Sequence, residues 1–162
     1  MRSRDYLPVV RLHGRDILAS PGMRLQRRHM QHGRVSVFEH SLDVALMCVK
    51  LSRALRLRVN ERALVRGALL HDYFLYDWHE PDPSRPNHAF YHARMAWENA
   101  RRDYDLGPTE EDIIRHHMFP VVPIPPRTAE GWIVSAADKA CALKETLSRD
   151  TPNNDNEQED NP

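Results

Sequence analysis

The residues able to do chemistry in this 162-residue chain form a spaced set of imidazoles and carboxylates. They are His40, the adjacent pair His71-Asp72, His88, His92, the adjacent pair His116-His117, and Asp138. His71-Asp72 stands at the end of the apolar run Ala63-Leu64-Val65-Arg66-Gly67-Ala68-Leu69-Leu70. Burying an imidazole or a carboxylate without a partner is costly, so this pair has little reason to be there as packing. Both residue types bind metals, and the other members of the set can answer the pair. Adjacent helical residues point about 100° apart, so His71 and Asp72 share one metal only at a helix end or with the aspartate bridging to a second. His88 and His92 are spaced i, i+4 and share a helix face.

The elements that must position these residues read as helices. Ser36-Val37-Phe38-Glu39 has the S-x-x-E form of a capping box, which places His40 in the first turn of a helix running to about Leu55. Leu42, Ala45, Leu46 and Val49 supply its i, i+3, i+4, i+7 face, and Val44, Met47, Cys48 and Leu51 widen it, so the helix is central. Asn60 caps a helix from about Glu61 to Phe74, and Gly67 inside it costs about 1 kcal/mol relative to alanine unless it permits a close helix crossing. Pro81, Pro83 and Pro86 make 77–87 a loop. Further helices are predicted from Asn87 to about Tyr104, from Glu110 (capped by Thr109) to about His117, and from Ala129 to Ser148. Residues 1–35 form a lead-in of short helices packed on the core, 36–148 the main domain, and 149–162 a disordered acidic tail. The predicted fold is an all-α, single-domain helical bundle with five or more core helices. Side chains from several rigid helices converging on one ion are what a metal site in such a bundle requires.

Composition narrows the function classes. The two cysteines, Cys48 and Cys141, each lie in an apolar helical pattern and read as reduced, buried thiols. The absence of a signal-peptide core or a long apolar run points to a cytoplasmic chain with no membrane partner. The net charge of zero conceals an asymmetry: residues 1–70 carry 14 Lys+Arg against 5 Asp+Glu, and residues 71–162 carry 9 against 18. Arginine supplies 20 of the 23 basic residues, and its planar fork suits phosphate. Solvated helix faces plus an acidic tail account for the same pattern. Aromatic-basic interleaving is lacking, so nucleic acid is not the expected partner.

The order His40 … His71-Asp72 … Asp138, in the contexts Phe38-Glu39-His40-Ser41, Ala68-Leu69-Leu70-His71-Asp72 and Ala136-Ala137-Asp138-Lys139, resembles the HD superfamily of metal-dependent phosphohydrolases over about residues 36–147. The resemblance implies a helical bundle, a divalent metal held by these four residues, and hydrolysis of a phosphate ester or anhydride by a metal-activated hydroxide. His92 and His116-His117 occupy the places of the extra histidines in the two-metal branch. That branch includes cyclic-dinucleotide phosphodiesterases and symmetrical diadenosine tetraphosphate hydrolases. The chain departs from the former: Leu75 stands where a lysine is usual, and the Gly-Tyr-Pro motif is missing. By position, the resemblance assigns His40, His71 and Asp138 to one metal, Asp72 to a bridge, and His92, His116 and His117 to a second metal.

An imidazole-rich set favours iron, manganese, cobalt, nickel or zinc over magnesium. Asp72 and His88 are the catalytic candidates, with His88 or a bound water protonating the leaving oxygen. His79, Arg85, Arg127 and Lys139 are weaker candidates for substrate contact, from loops or beside a ligand. The expected substrate is a small phosphorylated metabolite, with a nucleotide favoured. The competing functions are a di-iron oxygenase on the same fold and a non-catalytic nucleotide or nucleic-acid binder.

Overall fold

The computed structural model describes residues 3–32, 35–77 and 88–147, with side-chain detail for 5–31, 35–77 and 91–147. After a 3-10 turn (Ser3–Tyr6) come α1 (Leu7–Leu18) and α2 (Pro21–Gln26), then a short antiparallel pair, β1 (Met30–His32) and β2 (Val35–Ser36). The bundle follows as α3 (Val37–Ala54), α4 (Glu61–Leu70), α5 (His88–Asp103), α6 (Pro108–His116) and α7 (Ala129–Leu147). This is the all-α bundle expected, apart from the small strand pair, which has too few residues to show an alternating pattern. The acidic tail, His79 and Arg85 lie outside the described residues, as does the side chain of His88.

Helix α4 is the core element. From Ala63 to Leu70 every residue is buried, and it packs against α1, α3, α6 and α7. Burying each of Leu64, Val65, Leu69 and Leu70 contributes roughly 1.5–3 kcal/mol. Gly67 serves the close crossing anticipated for it: a Cβ there would fall onto the side chain of Ile113 on α6. Arg66, the one charge in this run, is held by partners on two other helices. Its Nε donates to Glu110 (3.0 Å) and its Nη1 to both oxygens of Asp16 (2.9 and 2.7 Å). A buried guanidinium is tolerated only when paired in this way.

The ends of the helices decide where the chemistry sits. At the start of α3 the capping box forms: Ser36 Oγ accepts from Glu39 N (3.3 Å), and Glu39 Oε2 accepts from Ser36 N (2.9 Å). Asn60 Oδ1 caps α4 by accepting from Ala63 N (3.0 Å). Helix α4 stops at Leu70 instead of continuing to Phe74. Asn99 on α5 donates to the carbonyls of Tyr73 and Phe74 (3.1 and 3.0 Å), so those oxygens bond across the bundle. Leu75 then adopts a left-handed φ of 58°. At α6 the cap residue is Gly107 with Pro108 in the first turn, two residues earlier than Thr109, and Glu110 reaches back to the Gly107 N–H.

Candidate metal centre

Five helices and the turn after α4 bring six side chains to one point. His40 comes from the first turn of α3, His71 caps the C-terminus of α4 and Asp72 follows it. His92 lies on α5, His117 caps the C-terminus of α6, and Asp138 lies on α7. His40, His71, Asp72, His92 and His117 are all buried. Three groupings have ligand atoms mutually within 4.8 Å: His40, His71 and Asp72; His71, His117 and Asp138; Asp72, His92 and His117.

Asp72 divides the centre. Its Oδ2 faces His71 Nε2 (3.4 Å) and His40 Nε2 (3.8 Å), while its Oδ1 faces His92 Nε2 (3.4 Å) and His117 Nε2 (3.5 Å). Asp138 Oδ1 lies nearest the first side, 3.1 Å from His40 Nε2 and 3.7 Å from His71 Nε2, and a carboxylate oxygen of Asp138 also comes within 4.8 Å of His117. His92 Nε2 and His117 Nε2 lie 3.0 Å apart. That is a hydrogen-bond distance, and both nitrogens face Asp72 Oδ1.

The imidazoles are aimed by their outer nitrogens. His71 Nδ1 sits 2.8 Å from the Ala68 carbonyl and His117 Nδ1 2.9 Å from that of Ile114. A carbonyl only accepts, so each Nδ1 carries the proton and each Nε2 presents its lone pair inward. His40 Nδ1 instead meets the carboxylate of Glu145, at 3.0 and 3.1 Å.

The electrostatics favour positive charge at this point. Burial disfavours the charged form of His40, yet hydrogen bonds with Asp138 and Glu145 raise its pKa to about 10. Burial likewise opposes charging His71, but the adjacent Asp72 and then Asp138 push its pKa upward. For both aspartates burial acts to raise the pKa and is overcome. Asp72 is held well below the usual carboxylate range by His71, His117 and His92, and Asp138 by His40 and His71. Two buried atoms, His71 Nε2 and Asp72 Oδ1, make no hydrogen bond although each faces ligand-type atoms. Orphaned buried polar atoms of this kind need explaining, and a cation would satisfy both. Four imidazoles with two carboxylates suit a divalent transition metal. The residues therefore fit the expected group.

His116 does not join. Its Nδ1 pairs with Asp112 Oδ1 at 2.8 Å, and Asp112 also accepts from the Arg127 and Thr128 backbone N–H groups and from Thr128 Oγ1. His116 thus lies outside the three groupings, and through Asp112 it is linked to the loop before α7. Lys139, expected near substrate, donates its Nζ to the carbonyls of His117 (2.9 Å) and Ser135 (3.2 Å) and to Ser135 Oγ (3.0 Å). Its ammonium thus ties α7 to the end of α6, and burial lowers its pKa. Arg127 is exposed, and its backbone N–H is what reaches Asp112.

Three side chains around the centre, the buried Gln26 and Gln31 and the half-buried Glu145, were not anticipated from the sequence. Gln31 Nε2 donates to Asp72 Oδ2 (2.7 Å), Gln26 Nε2 donates to the Asp72 carbonyl (2.6 Å), and Glu145 holds His40. Glu145 had a signal, since it stands seven residues after Asp138 on the same helix and so on the same face. The glutamines had none, because their partners lie 46 and 41 residues away.

No helix among the described residues is long and apolar enough to cross a membrane. No curated protein and no solved structure matches the chain. A family model does: that of the HD domain, over residues 37–143, a stretch that holds all six converging side chains. The chain belongs to the HD domain family, whose members are in general metal-dependent phosphohydrolases.

Proposed function

We propose that the chain hydrolyses a phosphate ester or anhydride of a small phosphorylated metabolite, a nucleotide being favoured, with two divalent transition-metal ions. The observation that carries this reading is the division of Asp72, whose two oxygens face different pairs of imidazoles. On it, His40, His71, Asp138 and Asp72 Oδ2 hold one ion, and His92, His117 and Asp72 Oδ1 hold the other. The ions would supply Lewis acidity toward the phosphoryl oxygens and a nucleophile at neutral pH.

The chain's own residues do the rest. Ala68 and Ile114 carbonyls keep His71 and His117 in the tautomer that points a lone pair inward. Burial of the five innermost side chains keeps bulk water from weakening their field. Ser135 Oγ and Lys139 Nζ both donate to the His117 carbonyl (2.8 and 2.9 Å), which fixes the end of α6. His88 begins α5 one turn before His92, and we assign it the proton for the leaving oxygen. The arginine-rich first half supports a phosphate-bearing substrate.

The test is metal analysis of protein purified without added metal, with a panel of nucleotides and phosphate esters assayed on the same sample. Near two ions per chain and phosphate release from a member of the panel are expected, with release lost in His71→Ala and Asp72→Ala. Metal-loaded protein that releases no phosphate but consumes oxygen with an organic substrate would overturn the reading in favour of an oxygenase.

A further inference from the structure

The six converging residues leave open what sets the orientation of the shared carboxylate. A carboxylate turns easily about its Cβ–Cγ bond, because that torsion is broad and roughly two-fold. Bridging two sides needs one orientation held. The described structure contains a device for it in the segment before the matched HD region, where Gln26 and Gln31 are both buried. Gln26 pins the Asp72 backbone through its carbonyl, and Gln31 pins the side chain through Oδ2 alone. Asp72 Oδ1 is left without a hydrogen bond, facing His92 and His117.

The amide of Gln31 can be oriented only one way. Turning it over would set its carbonyl oxygen against the Asp72 carboxylate, two acceptors without a proton between them. Its own Oε1 is buried with no hydrogen-bond partner, and so is Oε1 of Gln26. Leaving such an acceptor unsatisfied is costly, an arrangement hard to explain as packing. The segment is held in place by the Val37 N–H to His29 carbonyl bond (2.9 Å) and by the pairing of β1 with β2.

We propose that Gln31 is a positioning residue that governs the second cation site, the one formed by Asp72, His92 and His117. The inference rests on the two-metal reading above. The two sides are unequal: Asp138 Oδ1 lies 3.1 and 3.7 Å from His40 and His71, whereas Asp138 approaches the second side only at His117, within 4.8 Å, and is not in the group of Asp72, His92 and His117. Cation affinity rises with the number of anionic ligands, so the second side depends more heavily on where Asp72 Oδ1 points. Loosening the carboxylate by removing its Gln31 bond therefore weakens the second side selectively. A general loss of folding would weaken both.

The experiment is a titration of chelator-stripped full-length protein with Mn2+ alone, free ion being read by electron paramagnetic resonance and no activity being required. Wild type is expected to show two classes of ion per chain. In Gln31→Met, which keeps length but has no donor, the tighter class stays unchanged and the weaker class falls about 10- to 100-fold, the range for a lost outer partner. The retained tighter class shows in the same sample that the variant is folded. Should Gln31→Met fail to fold, Gln31→Glu supplies a second arm. Its carboxylate repels Asp72 and adds an anion on the Oδ2 side, so the ratio between the two classes widens. Two classes unchanged in the folded variant, or both reduced equally, would overturn the role of Gln31 and leave the two-metal reading intact. A single class in wild type would overturn both.

Discussion

The two sides of Asp72 are built differently. The first draws on α3, α4 and α7, and it carries Asp138 as a further carboxylate with Glu145 behind His40. The second draws on α5 and α6, and apart from Asp72 its ligand-type atoms are the imidazole nitrogens of His92 and His117, 3.0 Å apart. A cation on the first side would be held by charge as well as by lone pairs. On the second side it would be held mainly by nitrogen and by one shared oxygen. On the two-metal reading, the difference teaches that the halves would differ in affinity, with the second half depending more on the shared carboxylate than the first.

The comparison can be broken most severely at the shared residue. Asp72→Ala should abolish binding of the second ion, weaken the first, and cut phosphate release by about a thousandfold or more, since metal stabilisation of the transition state is worth several kcal/mol. Metal content and single-turnover phosphate release measure it. Next in size, His92→Ala should bring the metal content from near two ions per chain to near one; a content unchanged from wild type would remove the second side from the account.

Glu145→Gln acts on the first side only. A carboxylate behind a metal-binding imidazole raises its basicity, so this change should weaken the first ion about 10- to 100-fold, visible by calorimetric titration. The same pair has a consequence for the metal-free protein. His40 has its folded pKa raised, so its contribution to stability is complete below the ordinary histidine value and is lost as pH rises through about 10. The melting temperature of stripped wild type should therefore fall between about pH 6.5 and 10, and Glu145→Gln should flatten that fall. The smallest effects belong outside the centre. His116→Ala should leave both ions bound. Asp112→Asn, which weakens the anchor of the loop before α7, should cost about 1–2 kcal/mol of stability by thermal or urea unfolding without changing metal content.

Much of this was legible along the chain because it depends on neighbours a few residues apart. The Ser36 capping box and the Asn60 cap are local hydrogen bonds between groups three positions apart, and both form. Spacing within α4 foretold that Gly67 marks a crossing, and the order of His40, His71-Asp72 and Asp138 carried the family. The length of α4 was not legible: it stops short of Phe74, whose carbonyl, like that of Tyr73, finds its partner in Asn99 on another helix. Nor was the different setting of His116 and His117, the one paired with Asp112 and the other beside His92 and Asp72, since a pair of identical residues has no internal signal for it.

The sequence by itself determined the core helices, the starts of α3 and α4, the all-α class and the residue types able to bind metal, because periodicity and capping act over one or two turns. Only the tertiary structure decided how those residues divide around Asp72 and what aims them. Gln31 meets Asp72 across 41 residues, and Glu145 meets His40 across 105. Contacts over such separations are set by how helices pack, and a single side chain's partner at that distance leaves no periodic trace in the chain.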